Sequence, residues 1–170
     1  VELLEVYKTF QNFSILVLLV NAIGSLPDSD LRVEAHLKFK KLGYEFMTLI
    51  APRAIVSNFA RLSEGVQIMP GAIVNANAII GDGTIVNSGA LVEHDCVIGS
   101  HNHLAPGCKL SGNVVTGNFV HIGTGAVVIQ GVKIGANALV GAGATATRNL
   151  LHNEKLLVAK PYLIQKKILD

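Results

Sequence analysis

Charge is scarce in this chain: only 15% of its 170 residues are Asp, Glu, Lys or Arg, and half are apolar. That is below the usual quarter of charged residues, so part of the surface is expected to be buried against other copies. The net charge of +2 does not favour a nucleic-acid or membrane-surface role. There is no Walker-type phosphate loop, no GxGxxG on a strand–helix turn and no CxxC pair. The longest apolar run, Ile15 to Val20, is far short of the ~20 residues that span a bilayer. No basic cluster precedes that run as a signal peptide would require, so the cytoplasm is the expected compartment. Cysteine is limited to Cys96 and Cys108, and a structural thiol pair in a reducing compartment fits better than a disulfide.

What the chain has in abundance is period. From Ala54 to Asn149 it repeats every six residues, sixteen times, without an insertion. Every sixth residue from Val56 to Ala146 is apolar except Thr116. Two places earlier the residue is compact: eight Ala, four Val, two Cys, Thr84 and Asn102. Three places after the aliphatic residue stand eight Gly and four Asn, the types that accept a left-handed backbone at low cost. An aliphatic wall, a small corner residue and a left-handed turn are what a six-residue parallel β-helix needs. Three hexads make one triangular coil, so residues eighteen apart are expected to stack, and sixteen hexads form a little over five coils.

The first fifty residues follow another pattern. Phe13 to Ala22 reads as a strand buried on both faces. Ser25 to Asp30 supplies capping side chains, and Leu31, Ala35, Leu37 and Leu42 recur at roughly helical spacing until Gly43 closes the helix. Phe46 to Ile50 reads as a second strand. The fold class is therefore mainly β: a left-handed parallel β-helix over 54–149, preceded by a small, incomplete α/β segment over 1–53. A mixed apolar and basic tail over 150–170 is expected to pack across the last coil and cover its strand edge. The cations near the C-terminus, Arg148, Lys155, Lys160, Lys166 and Lys167, face only Glu154 and Asp170, and they read as a solvated cluster or as a contact for anionic ligand groups.

His94 lies two residues past an aliphatic position, at a corner whose side chains point outward. An imidazole there suits a general base for an amine or hydroxyl nucleophile. Asp95 occupies a turn position usually given to Gly or Asn, where it can orient the ring; a solvated His–Asp turn is the alternative. His103 and His121 stand eighteen apart and are expected to stack outward in a column with Ile85 and Leu139. Such a pair can hold a metal, line a ligand groove or sit at a polar subunit seam. His36, His101 and His152 receive no function. Asn75 and Asn87 follow aliphatic residues at corners and read as stacked amides bonding to each other or to the backbone.

The strings TLIAPRAIV (48–56), IVNSGALVEHDCVIG (85–99), NHLAPG (102–107), GNFVHIGTGAVVIQGVKIG (117–135) and VGAGATATRN (140–149) resemble the hexapeptide-repeat acyltransferases. The combination of EHDCVIG and HLAPG is similar to the branch that acetylates nucleotide-linked amino sugars and sialic-acid-type sugars in bacterial surface-glycan biosynthesis. The resemblance implies that His94 is the base and Asp95 its support, and that His103 contacts acetyl-coenzyme A. It places the pantetheine groove near Gly112, Thr124, Gly141 and Ala142, with the Gly112 amide as the oxyanion donor. Asn87 falls on the acceptor side. It further implies a homotrimer with the donor between neighbouring β-helices, and direct transfer needing no metal and no acyl-enzyme.

Two departures stand out. Family members begin with a longer α/β domain whose Gly-rich first turn helps hold the nucleotide-sugar, and only a later strand–helix–strand is recognisable here, so residues 1–53 read as a truncated form. The usual Gly-x-Pro-Ala-basic ending appears as VAKPYLIQ (158–165). Two other readings follow. One is a scaffold without acceptor binding. The other is a γ-carbonic-anhydrase-like zinc lyase using His94, His103 and His121, although the two ligands about five residues apart that such a site needs are missing.

Overall fold

A computed structural model describes residues 17–27 and 29–158. Two-residue strands recur every six residues and stack in parallel into three sheets of seven, six and five strands. Partners are eighteen apart, as in Leu91 with Lys109 and Val92 with Leu110. The architecture is the left-handed hexapeptide β-helix. From Val66 to Ala146 every aliphatic and every compact position of the hexad is buried, forming one continuous core. Every hexad from Gly65 to Gly143 turns through a left-handed residue, including Asp95, His101 and Phe119.

Strand stacking runs beyond the sequence repeat at both ends. Leu49–Ile50 pairs with Gln67–Ile68, and Lys155–Leu156 pairs with Leu139–Val140. The last coil is shorter, since Leu139 pairs with Lys155 and Ile134 bridges Leu150, each sixteen apart. Residues 159–170, with the VAKPYLIQ string beyond Val158 and most of the tail's basic cluster, lie outside the described residues. Among the described residues no helix is long and apolar enough to cross a membrane.

A polar knot interrupts the core. The Asn102 side chain, 1% exposed, donates to Thr116 Oγ1 (2.6 Å) and Gly117 O (3.0 Å) and accepts from the Val120 amide at 2.7 Å. Removing it leaves buried donors and acceptors without partners. Asn102→Ala is expected to cost about 2–4 kcal/mol, measured as a lower denaturant midpoint at unchanged slope.

The segment before the coils departs from expectation in three ways. Among the described residues its strand is Leu18–Leu19, paired in parallel with Glu45–Phe46. Val17, Leu18 and Val20 are exposed, so this strand is not buried on both faces, and residues 13–16 of the expected strand lie outside the described ones. The expected second strand divides: Glu45–Phe46 pairs with the first, and Leu49–Ile50 opens the β-helix.

The helix Leu31–Lys41 forms and ends at Gly43 (φ 88°), but Asp30 makes no side-chain cap bond and the expected leucine face points away from the coils. Leu31, Leu37 and Leu42 are exposed, while Arg32 and His36 are buried. The reason is the seat. Gly65 leaves room for the His36 ring, which stacks on Phe46 at 4.1 Å, and Gly83 leaves room for the His101 ring that meets His36 edge to face. Arg32 donates to the carbonyls of Asn21 and Ile23, and Lys40 pairs with Glu64 at 2.7 Å.

Candidate active site

The triangular section fixes where each candidate sits. After the strand Leu91–Val92 comes a corner at 93–96, after Val97–Ile98 a corner at 99–102, and after His103–Leu104 a corner at 105–108. Adding or subtracting eighteen assigns every other residue to one of these edges.

His94, Asp95 and Gly112 share the first edge. His94 Nδ1 lies 2.7 Å from Asp95 Oδ2, and the two side chains are 53% and 43% exposed. The left-handed backbone at Asp95 (φ 59°) swings its carboxylate beside the preceding ring. A carboxylate can only accept, so in the neutral ring Nδ1 carries the proton and Nε2 the lone pair. The bond to His94, with a second from Asn77 Nδ2 at 3.1 Å, holds the Asp95 carboxyl below its ordinary range. The ring lies over Gly112: a β-carbon there would come within 2.7 Å of both His94 Cε1 and Nε2. The dyad thus presents an outward-facing base beside a bare backbone.

His103, Asn87, Thr124, Gly141 and Ala142 lie on the seven-stranded face and the corner that follows it. His103 Nδ1 is 2.9 Å from the Ser25 carbonyl, so Nδ1 bears hydrogen and Nε2 accepts from Asn87 Nδ2 at 3.2 Å. Asn87 Oδ1 accepts from the Ser88 amide at 2.7 Å, which fixes the amide's orientation. Asn87 thus bonds the backbone as expected, whereas Asn75 Nδ2 donates to the Glu93 carboxylate at 2.8 Å. His103 and His121 pair in register, their rings edge to face with centroids 4.9 Å apart, and Ile85 and Leu139 continue the column. Thr124 and Ala142 are exposed one coil apart. A cleft of about 560 Å³ opens beside Asn87 and His103, walled by Ile23, Leu26, Met69 and Ile85.

The structure does not bring the two clusters together in one chain. A coil side of six residues at about 3.3 Å each puts the edges on the order of 15–20 Å apart, and His103 lies on the face opposite the His94 edge. Among the described residues no group of three His, Cys, Asp or Glu converges as a metal cage. Cys96 and Cys108 are buried and unpaired, and burial pushes Cys108 up to about 12, so neither is placed or ionised as a nucleophile.

Burial lowers the pKa of His36, His101 and His103, and with help from the His103 charge it takes His121 down to about 4. The unfolded chain therefore binds protons first as pH falls from the ordinary histidine value near 6.5. Stability from these rings is present above that value and is lost as pH drops towards 4. Melting temperature is expected to fall from pH 7 to pH 4.5, and His121→Phe should flatten that decline.

Two partners were not singled out from sequence. The Ser25 carbonyl belongs to a loop outside the repeat and carries no signal. Asn77 stands eighteen residues before Asp95 in the same left-handed column, so the period could have found it.

Residues 59–94, 78–112 and 113–148 match the bacterial transferase hexapeptide (six repeats) family, and the chain belongs to it. A histidine-to-asparagine variant of perosamine N-acetyltransferase from Caulobacter crescentus, solved with CoA and GDP-perosamine, is 41% identical over 76% of this chain and 62% of that one, with a TM-score of 0.73. The acetyltransferase domain of PglB from Neisseria gonorrhoeae FA1090, in complex with acetyl coenzyme A, is 34% identical over 76% of this chain and 63% of that one, with a TM-score of 0.73. WeeI from Acinetobacter baumannii AYE is 29% identical over 76% of this chain and 64% of that one, with a TM-score of 0.72. The chain thus spans less than two thirds of the length of these relatives. Among curated proteins none matches it.

Proposed function

We propose that this chain is an acetyl-coenzyme A-dependent acetyltransferase. Its acceptor is an amino group, or failing that a hydroxyl, of a nucleotide-activated or sialic-acid-type sugar used in bacterial surface-glycan biosynthesis. The observation that carries the reading is the His94–Asp95 dyad laid over Gly112, on a β-helix whose relatives were solved with CoA, acetyl coenzyme A and a GDP-linked amino sugar. That the perosamine relative is an N-acetyltransferase supports an amine over a hydroxyl.

The steps follow from the chemistry. The sugar amine attacks the thioester carbonyl carbon while His94 Nε2 removes its proton. Asp95 holds the imidazolium by its Nδ1–H bond. Charge collects on the carbonyl oxygen, where the Gly112 amide is the assigned donor. As the tetrahedral intermediate collapses the carbon–sulfur bond breaks, and the coenzyme A thiolate takes the proton back from His94. The donor arm is assigned to His103, Thr124, Gly141 and Ala142, and Asn87 to the acceptor side. Because these residues lie an edge away from His94, the working site forms between two copies, in keeping with a homotrimer.

The test is thiol release from acetyl-coenzyme A against a panel of nucleotide-linked 4-amino sugars and sialic-type sugars, with calorimetry for coenzyme A. Turnover with at least one acceptor is expected. Coenzyme A binding without turnover on any acceptor would leave a scaffold, and neither binding nor turnover would end the transferase reading.

A further inference from the structure

We infer that Asn77 is a positioning residue for the base, acting through Asp95. This rests on the reading of His94 as the base. Asn77 Nδ2 donates to Asp95 Oδ1 at 3.1 Å, while the other oxygen, Oδ2, meets His94 Nδ1 at 2.7 Å. A carboxylate on an exposed corner held by one bond can rotate about χ2; held at both oxygens from opposite sides it cannot. Asn77 and Asp95 both sit in the left-handed conformation, at φ 60° and 59°, one coil apart, so the backbone aims each side chain along the edge towards the other.

The relay Asn77–Asp95–His94 keeps the proton on Nδ1 and the Nε2 lone pair free, the form a base requires. A second amide on the same coil supplies an internal control. Asn75 donates to Glu93 at 2.8 Å, a bond of the same kind on the same edge whose carboxylate is not the one paired with His94.

The experiment uses the full chain labelled with ¹⁵N-histidine, with the His94 signals assigned by their loss in His94→Gln. Asn77→Gly removes the amide and keeps the left-handed backbone. The neutral ring of the wild type is expected to show Nδ1–H almost alone, and Asn77→Gly a mixture of both tautomers. In turnover, Asn77→Gly should lower kcat by roughly fivefold with KM for acetyl-coenzyme A unchanged. Asn77→Asp adds a negative charge beside Asp95, favours the imidazolium and should move the acid limb of the kcat profile to higher pH. Asn75→Ala should do none of these. If Asn77→Gly keeps the wild-type tautomer and Asn77→Asp leaves His94 titrating as before, the positioning role is wrong. The spectroscopic arm decides this even if no acceptor is turned over, a failure that would count against the transferase reading alone.

Discussion

Replacing His94 by alanine is expected to lower acetyl transfer by about 10²–10⁴-fold, the range that a positioned general base contributes. The amine would have to lose its proton to water, because a carboxylate such as Asp95 is a far weaker base than an imidazole. Coenzyme A affinity should change little, because the donor contacts are assigned to His103, Thr124, Gly141 and Ala142 and not to His94. The fold should also survive, since the side chain is 53% exposed. Stopped turnover with retained coenzyme A binding is the outcome to read by thiol release and calorimetry. Loss of both would instead mean that His94 belongs to the donor site.

Gly112→Ala should come close to the same loss of rate by a different route. The new β-carbon would lie 2.7 Å from Cε1 and Nε2 of His94, about 1 Å inside ordinary carbon contact. The imidazole is the side that yields, because it is half exposed and Gly112 is backbone. Displacing a catalytic group by about 1 Å costs on the order of 10²-fold. Stability should hold within about 1 kcal/mol, since nothing in the core moves. Gly89→Ala is the matching control: it strains a left-handed turn (φ 65°) with no atom within 4 Å. It should lower the melting temperature and leave kcat alone. A Gly112→Ala protein with normal kcat would remove the ring-over-glycine geometry from the account.

The coils were legible because each hexad repeats the same three tasks, so that a spacing of eighteen is a contact. His103 on His121 and Cys96 and Cys108 facing inward follow from counting alone. The same count holds the separation of His94 from His103: nine residues are one and a half hexads, which carries the chain from an edge to the opposite face. Other features were hidden for physical reasons. The helix buries Arg32 and His36 in place of its leucines because carbonyls and glycine steps, not an apolar groove, form its seat. Nothing in the helix's own pattern reveals that. The shortened last coil was hidden too, since His152 stands where the hexad would need an aliphatic residue, and strand pairing resumes at Lys155.

Acetyl transfer is proposed to occur at a site shared by two chains, with His94 from one and His103 from its neighbour. This is tested most directly by subunit mixing. His94→Ala and His103→Ala proteins would each be inactive or crippled alone. Unfolded and refolded together, they are expected to recover activity, because about a quarter of sites in randomly mixed assemblies would draw both native histidines from different chains. Mixtures no more active than the separate variants, while size measurements show that the chains have mixed, would contradict the shared site.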